Sequence, residues 1–369
     1  MELVVRKTDL LRELQLFQGI VERNNTIPIL ANVLMEAEGE ELRLLATDLQ
    51  VALRSQCQAS VSRGGRLTLP AKKLFEIIRV LPETDIRIEQ DKSGVKVAAD
   101  RFDSRIQTMP PDDFPSLPRA TGDASLSLPA ALLSQMIART QFATTSDDTR
   151  YFLNGVLLVA SADHFSLVAT DGHRLALAQA ARQGAGPTDE VRVILPKKTV
   201  TELGRLLLDA EGDIQYERQE NHLFFTVGGR VLISRMIDAQ FPAYERVVPK
   251  GMDKVVEFER ERLANALKRV GLLSPERSRA VKFSIEPGKV EVSSSSPELG
   301  EAKEAILVDD YAGAPIQIGF NGQYVLQFLD VVGTDKVALE LKDEVSQAVM
   351  KPVGQDGFEY TYVLMPMRF

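Results

Sequence analysis

Hydrophobic and polar positions along the chain follow one pattern that is met three times. Leu3 and Val5 alternate, and Leu10, Leu14, Phe17 and Val21 then follow at helical spacing. That change of period, from two to 3.6, marks a strand leading into an amphipathic helix. Leu126 and Leu128 lead in the same way to Leu132, Leu133, Met136 and Ile137; Val255, Val256 and Phe258 lead to Leu263, Leu267 and Val270. Thr8 or Asp9 is placed to cap the first helix, since a short side-chain oxygen satisfies its orphan N–H groups. Pro129 falls in the first turn of the second, where a missing N–H costs nothing. A further helix is predicted in each stretch, starting near Pro70, Pro196 and Asn321, with Asn321 as the N-cap of the last. Its apolar face is Leu74, Ile77, Ile78 and Leu81 in the first copy, Val200, Leu203, Leu206 and Leu207 in the second, and Val325, Phe328, Leu329 and Val332 in the third. Alternating stretches such as 153–159, 165–169 and 175–178 read as strands between the helices.

A few identities repeat as well, though the correspondence is good in pattern and poor in identity. Leu45-Ala46-Thr47-Asp48 returns as Val168-Ala169-Thr170-Asp171, and Leu69-Pro70-Ala71-Lys72-Lys73 returns as Leu195-Pro196-Lys197-Lys198-Thr199. Phe320-Asn321-Gly322-Gln323-Tyr324 opens the corresponding helix of the third copy. The period is about a third of the 369 residues, far longer than a solenoid unit and typical of a domain. The sequence therefore predicts an α+β chain of three similar domains, 1–120, 121–250 and 251–369, each with two helices on a mostly antiparallel sheet. Links should fall near 119–123 and 249–253, each after a similar phrase that begins Phe114-Pro115 or Phe241-Pro242. Residues 184–188 read as a loop inside the second domain.

Composition narrows the function more by exclusion than by signal. No apolar run approaches the length of a membrane helix, and the alternating N-terminus has no signal-peptide character, so cytoplasmic residence is expected. The single cysteine, Cys57, excludes an internal disulfide and a Cys-based zinc site. There is no phosphate-binding loop, dinucleotide fingerprint or nucleophile elbow. His164, His173 and His222 lack metal-ligand spacing. Thr170-Asp171-Gly172-His173-Arg174 could be imagined as an acid/base cluster, but Asp-Gly between alternating strands is first a hairpin turn.

Charge is more suggestive. The net charge is −8, yet Lys72, Lys73 and Arg79 lie on the second helix of the first copy and Lys197, Lys198 and Arg205 on its counterpart. Arg260, Arg262, Lys268 and Arg269 lie on the first helix of the third copy. Taken singly these are solvated helix faces. Taken with the repeat, they are basic surfaces segregated in an acidic protein, as contact with phosphates without base readout requires. The absence of Trp and of interleaved aromatics disfavours single-strand binding by stacking.

Over its whole length the chain resembles the β subunit of bacterial DNA polymerase III, the sliding clamp. The resemblance rests on Thr47-Asp48, Tyr151-Phe152-Leu153-Asn154-Gly155, Ala169-Thr170-Asp171-Gly172-His173-Arg174-Leu175-Ala176, Phe241-Pro242, Phe320-Asn321 and Met365-Pro366-Met367-Arg368-Phe369. It implies a head-to-tail homodimer that closes a six-domain ring around duplex DNA, with helices lining the hole and no cofactor or catalysis. DNA-facing positions would be Arg23, Lys72, Lys73, Arg79, Lys197, Lys198 and Arg205. The subunit interface would join Arg101, Ser104 and Ile106 to Leu272, Leu273, Glu298, Glu301 and Glu304; Leu272 and Leu273 read equally as a core contact at a helix end.

The resemblance also implies a pocket for short linear peptides of polymerase subunits, the clamp loader and repair proteins. Leu153, Thr170, Gly172, His173, Arg174 and Leu175 would come from the second domain, with Pro242, Arg246 and Val247 from the linking phrase. Asn321, Tyr324, Val345, Val363, Leu364, Met365, Pro366, Met367 and Arg368 would come from the third. Methionines adapt such a groove to several ligands, although Met365 and Met367 also read as a plain core strand. Ser278 stands where the family's rim can carry a bulky side chain, which would alter the choice of client, and Phe369 stands where leucine is usual, which would narrow or reshape that end of the groove. Two other readings stand beside the clamp: an enzyme that uses Asp171 and His173, and a clamp-like duplicate kept for repair or antibiotic tolerance.

Overall fold

The computed structural model describes residues 1–21, 26–122, 126–181, 190–309, 311, 313–354 and 357–368. It divides into two compact units, one of residues 1–134 and 198–236, the other of 135–197 and 237–369. The expected loop at 184–188, Arg23 and Phe369 lie outside the described residues.

Among the described residues six α-helices recur in pairs: α1 Lys7–Phe17 and α2 Ala71–Val80, α3 Ala130–Thr140 and α4 Lys197–Leu207, α5 Arg260–Val270 and α6 Gly322–Val331. Their starts differ in detail from expectation. Thr8 and Asp9 do not cap α1, which begins at Lys7 directly from the strand Glu2–Arg6 with no side-chain cap. The Lys7 N–H is instead taken by the carbonyl of Thr84, and the same device serves α3 (Ala130 to Gly212) and α5 (Arg260 to Asp335). A loop carbonyl thus does the work of a capping side chain. Pro70, Pro129 and Pro196 end their strands one residue before the helix rather than occupying its first turn. Asn321 does cap α6, accepting from the N–H groups of Gln323 and Tyr324.

In the first unit a five-stranded antiparallel sheet runs Ser60–Arg63, Glu2–Arg6, Asp85–Asp91, Gly94–Ala99, Phe102–Ile106. A second sheet has eight strands: Leu126–Pro129, Asp213–Gln219, His222–Val227, Arg230–Arg235, Val51–Gln58, Glu41–Thr47, Asn32–Glu38 and Gly65–Pro70. Its middle pair is Arg230–Arg235 with Val51–Gln58, so strands of the first and second repeats form one sheet. Leu10, Leu14 and Phe17 of α1 and Leu74 and Ile78 of α2 are buried, as their spacing predicts.

The second unit repeats the plan. Val191–Pro196, Gly155–Ala160, His164–Thr170, Arg174–Ala181, Glu359–Leu364, Ala348–Val353, Lys336–Leu341 and Lys254–Glu259 form eight antiparallel strands, joined between repeats by Arg174–Ala181 and Glu359–Leu364. Leu153 precedes Gly155–Ala160 in a 3-10 turn instead of opening a strand. Gly155 is needed there, because a Cβ would lie 2.3 Å from the Leu195 carbonyl oxygen. A four-stranded sheet, Gly300–Leu307, Lys289–Ser296, Ala280–Glu286, Ile316–Asn321, completes the unit.

The two similar phrases plug similar holes. Phe114 is buried with Ile29, Leu30, Leu34 and Leu45, and Phe241 with Leu153, Leu175 and Val363. Beyond the first phrase, Glu217 grips the chain: its carboxylate accepts from the Thr121 N–H (2.8 Å), the Thr121 hydroxyl (2.6 Å) and the Gly122 N–H (3.1 Å). Burial pushes this carboxyl up, but these hydrogen bonds and one from Gln219 outweigh it and draw the pKa from 4.5 down to about 2. A depressed carboxyl stabilises the fold fully above its unfolded value and loses that contribution as pH falls towards the folded one. The melting temperature of the parent chain should therefore exceed that of Glu217→Gln by a constant margin above pH 4.5, shrinking as pH falls towards 2. A margin independent of pH would remove the carboxylate from this account.

Candidate functional site

The residues expected to line the peptide pocket all lie within the second unit. Three of them, Leu153, Leu175 and Val363, are buried in one apolar cluster with Leu157, Val168, Phe241, Tyr244 and Val349, where the floor of that pocket is expected. Because strand neighbours face opposite sides, Leu364 is not part of this floor; it is buried on the Tyr362 side of the sheet. Pro242, Arg246 and Val247 are exposed on the linking phrase, which Phe241 and Tyr244 pin to the cluster.

The 170–174 turn is fixed by its own side chains. The Thr170 hydroxyl donates to the Arg174 carbonyl (2.6 Å) and accepts from the Gly172 N–H (3.1 Å). Asp171 Oδ1 accepts from the N–H groups of His173 (2.9 Å) and Arg174 (3.1 Å). Gly172 has φ +87°, and a Cβ there would meet the Arg150 guanidinium at 2.8 Å. Arg150 in turn donates to the Asp171 carbonyl (2.9 Å). His173 is left exposed on the rim.

Arg174 differs from expectation: it is 7% exposed and its donors are spent inside the protein. Nε donates to Asp171 Oδ2 (3.1 Å), Nη2 to the Phe142 carbonyl (2.7 Å), and Nη1 to Gln327 Oε1 and the Tyr362 hydroxyl. The guanidinium also lies 4.2 Å from the Tyr324 ring centre. Burial pushes the Tyr362 phenol well above its ordinary value, so it stays a neutral donor to the Tyr324 carbonyl (3.0 Å). An acid/base pair of Asp171 and His173 has no support here, since both Asp171 oxygens are occupied by turn amides and Arg174. The sequence reading missed Phe142, Gln327 and Tyr362; Gln327 lies three residues from Tyr324 on one helix face, the only local hint.

The C-terminal segment runs past this turn. The strand ends at Leu364, the Met365 N–H donates to the His173 carbonyl (3.0 Å), and the Met367 N–H to the Gly319 carbonyl (2.8 Å). Met365 is exposed, Pro366 and Met367 are half-buried and Arg368 is exposed, so these residues are not a core strand. Asn321 and Tyr324 stand half-buried at the start of α6. Val345 is exposed on a turn closed by Asp343, which accepts from the N–H groups of Val345 and Ser346.

Elsewhere the expected residues fare unequally. Lys73 is paired with Glu76 (2.6 Å) and Arg205 with Glu202 (2.8 Å), while Arg79 lies over the Phe75 ring. Lys198 is no solvated surface cation: its Nζ donates to Asp48 Oδ2 and to the Ile20 carbonyl (3.1 Å). Lys72 and Lys197 stand on the same helices, Lys197 donating to the Ser146 hydroxyl (3.1 Å). Arg101 precedes the edge strand Phe102–Ile106; Ser104 bonds the Val97 carbonyl and Ile106 is buried. Glu298 is in a hairpin turn, with Glu301 and Glu304 on the edge strand Gly300–Leu307; Glu304 receives two hydrogen bonds from Arg269 (2.7 and 2.6 Å). Leu272 is 76% exposed, which rules out the core reading, and Leu273 is half-buried.

Comparison with known proteins gives a consistent result. Three family models of the DNA polymerase III beta subunit match in order: the N-terminal domain at 1–118, the central domain at 127–243 and the C-terminal domain at 245–368. The chain is 39% identical to the beta sliding clamp of Pseudomonas putida, over the full length of both. It superposes on a sliding clamp from Pseudomonas aeruginosa bound to griselimycin with a TM-score of 0.94 at 37% identity, and on the Caulobacter crescentus clamp with 0.92 at 33%. The first covers all of both chains, the second all of this chain and 99% of the other.

Replacing Arg174 by Met would leave Asp171 and Gln327 without their shared partner. Loss of one member of a buried ion pair should cost on the order of 3 kcal/mol, read as a lower urea midpoint. An unchanged midpoint would mean that Arg174 is dispensable to the turn.

Proposed function

The chain belongs to the DNA polymerase III β-subunit family, the non-catalytic sliding clamps, and we propose that two copies close head to tail around duplex DNA in the cytoplasm. The observation that carries the ring is a pair of sheet edges. In each of two places, the strand after a Thr-Asp turn pairs with the last strand of the next repeat: Val51–Gln58 with Arg230–Arg235, and Arg174–Ala181 with Glu359–Leu364. The corresponding strands left over are Gly300–Leu307 and Phe102–Ile106, both at sheet edges. Unpaired edges invite a strand from another chain, and two unlike edges on one chain make a heterologous contact that can close.

Leu272 supports the same reading. Gly19 and Phe142, two residues past α1 and α3, are half-buried, whereas Leu272, two residues past α5, is exposed in the single chain. A partner's first domain would cover it. On this plan the domains are 1–120, 121–250 and 251–369, and Arg101, Ser104 and Ile106 meet Leu272, Leu273, Glu298, Glu301 and Glu304.

The cluster floored by Leu153, Leu175 and Val363 and rimmed by His173, Arg246, Val247 and Met365 fits short apolar peptides. Polymerase subunits, the clamp loader and repair proteins are the clients we assign to it. Lys72, Lys73, Arg79 and Lys197 are the phosphate contacts, weak enough to slide; Lys198 is given a structural role. No cofactor is required.

Retention on circular DNA tests the ring. Protein loaded on a nicked circle should co-elute with it on gel filtration and be lost when the circle is cut; equal retention on both forms would indicate ordinary DNA binding. Deleting 365–369 should abolish client-peptide binding and leave the dimer mass intact, whereas loss of the dimer would move the tail from pocket to interface. Replacing Lys72, Lys73 and Lys197 by Ala should lower the log–log salt slope of DNA binding by about 0.9 for each lysine that meets a phosphate.

A further inference from the structure

The two Thr-Asp turns are built alike beyond their shared sequence. The Thr47 hydroxyl donates to the Val51 carbonyl (3.1 Å) and accepts from the Leu49 N–H (2.9 Å), as Thr170 does with Arg174 and Gly172. Asp48 Oδ1 accepts from the N–H groups of Gln50 (2.8 Å) and Val51 (2.7 Å), as Asp171 Oδ1 does from His173 and Arg174. These bonds close the turn and use one carboxylate oxygen. The second oxygen is left over.

In both turns that oxygen holds a cation, Lys198 on Asp48 and Arg174 on Asp171. Each cation also bonds a carbonyl just past the first helix of the turn's own repeat: Ile20 after α1 for Lys198, and Phe142 after α3 for Arg174. Each reaches the second helix of the next repeat. Lys198 is itself the second residue of α4, and Arg174 donates to Gln327 on α6. The two aspartate side chains are only 5% and 13% exposed, so solvent screens these pairs little. The cations differ and come from different elements, yet each joins the same three places.

We propose that Asp48 and Asp171 are positioning residues for the following repeat: one oxygen shapes the turn, and the other locks a cation that holds the next repeat's second helix against the end of the first. Among the described residues the third repeat has no such lock. There Ser296 pairs with Gly300, where Thr47 pairs with Ala52 and Thr170 with Leu175, so the turn is one residue shorter, and Pro297 follows Ser296 where Asp follows Thr. The carboxylate lock belongs to the two joints inside one chain. It would operate whatever the pocket binds and whether or not the chain encircles DNA.

Asparagine separates the two roles. It keeps an acceptor for the turn amides but turns an N–H₂ group towards the cation. Hydrogen–deuterium exchange of the full chain, resolved by residue, provides the readout. In Asp48→Asn, amides of α4 and of 18–21 should exchange about ten- to a hundredfold faster, the range for a lost hydrogen bond to a charged group, while Gln50 and Val51 stay protected. Asp171→Asn should do the same to α6 and 141–143 while His173 and Arg174 stay protected. Lys198→Met leaves the first turn untouched and should reproduce the Asp48→Asn pattern at α4. Faster exchange confined to the turn amides, or wild-type rates in α4 of Lys198→Met, would overturn the proposal. Should an asparagine variant loosen turn and helix together or fail to fold, the Lys198→Met result decides it.

Discussion

A β-strand satisfies its backbone only through a neighbour, and that constraint organises this chain. The second repeat cannot complete either of its half-sheets alone. Arg230–Arg235 is completed by a strand of the first repeat and Arg174–Ala181 by a strand of the third. The apolar clusters under Phe114 and Phe241 sit at these shared sheets, so core packing and backbone pairing cross the repeat boundaries at the same places. A single repeat is thus a sequence unit more than a folding unit.

The candidate site inherits its geometry from that arrangement. The 170–174 turn starts the strand that pairs with Glu359–Leu364, which brings the C-terminal segment alongside His173 and sets Arg174 beside Tyr362. Antiparallel register fixes which side chains reach the apolar floor and which face the helix layer. A one-residue slip would exchange Val363 with Leu364 and destroy the floor.

Local chemistry was legible in the sequence, and partnership across distance was not. The Asn321 cap and the Asp171-Gly172 turn depend on neighbours a few residues away, and both were read correctly. The helix faces of α1 and α2 followed from spacing. The start of α1 was misread because a loop carbonyl, Thr84, supplies what a capping side chain would have supplied. Arg174 and Lys198 look like surface charges in any window of sequence; only the fold brings Asp171, Gln327 and Phe142 to one, and Asp48 and Ile20 to the other. The merging of half-sheets between repeats could not be read from alternation, which marks a strand without naming its neighbour.

The shared sheets also set a timetable for the nascent chain. Arg54 waits for Val231 and Leu175 for Val363, partners about 180 residues further on. At ribosomal rates of 5–20 residues per second, each waiting edge stays open for roughly 10–35 s, long compared with helix or hairpin formation. During that interval the emerging protein presents apolar, unpaired strands to everything around it. Slower translation lengthens that exposure, and open apolar edges of this kind are where an incomplete chain aggregates.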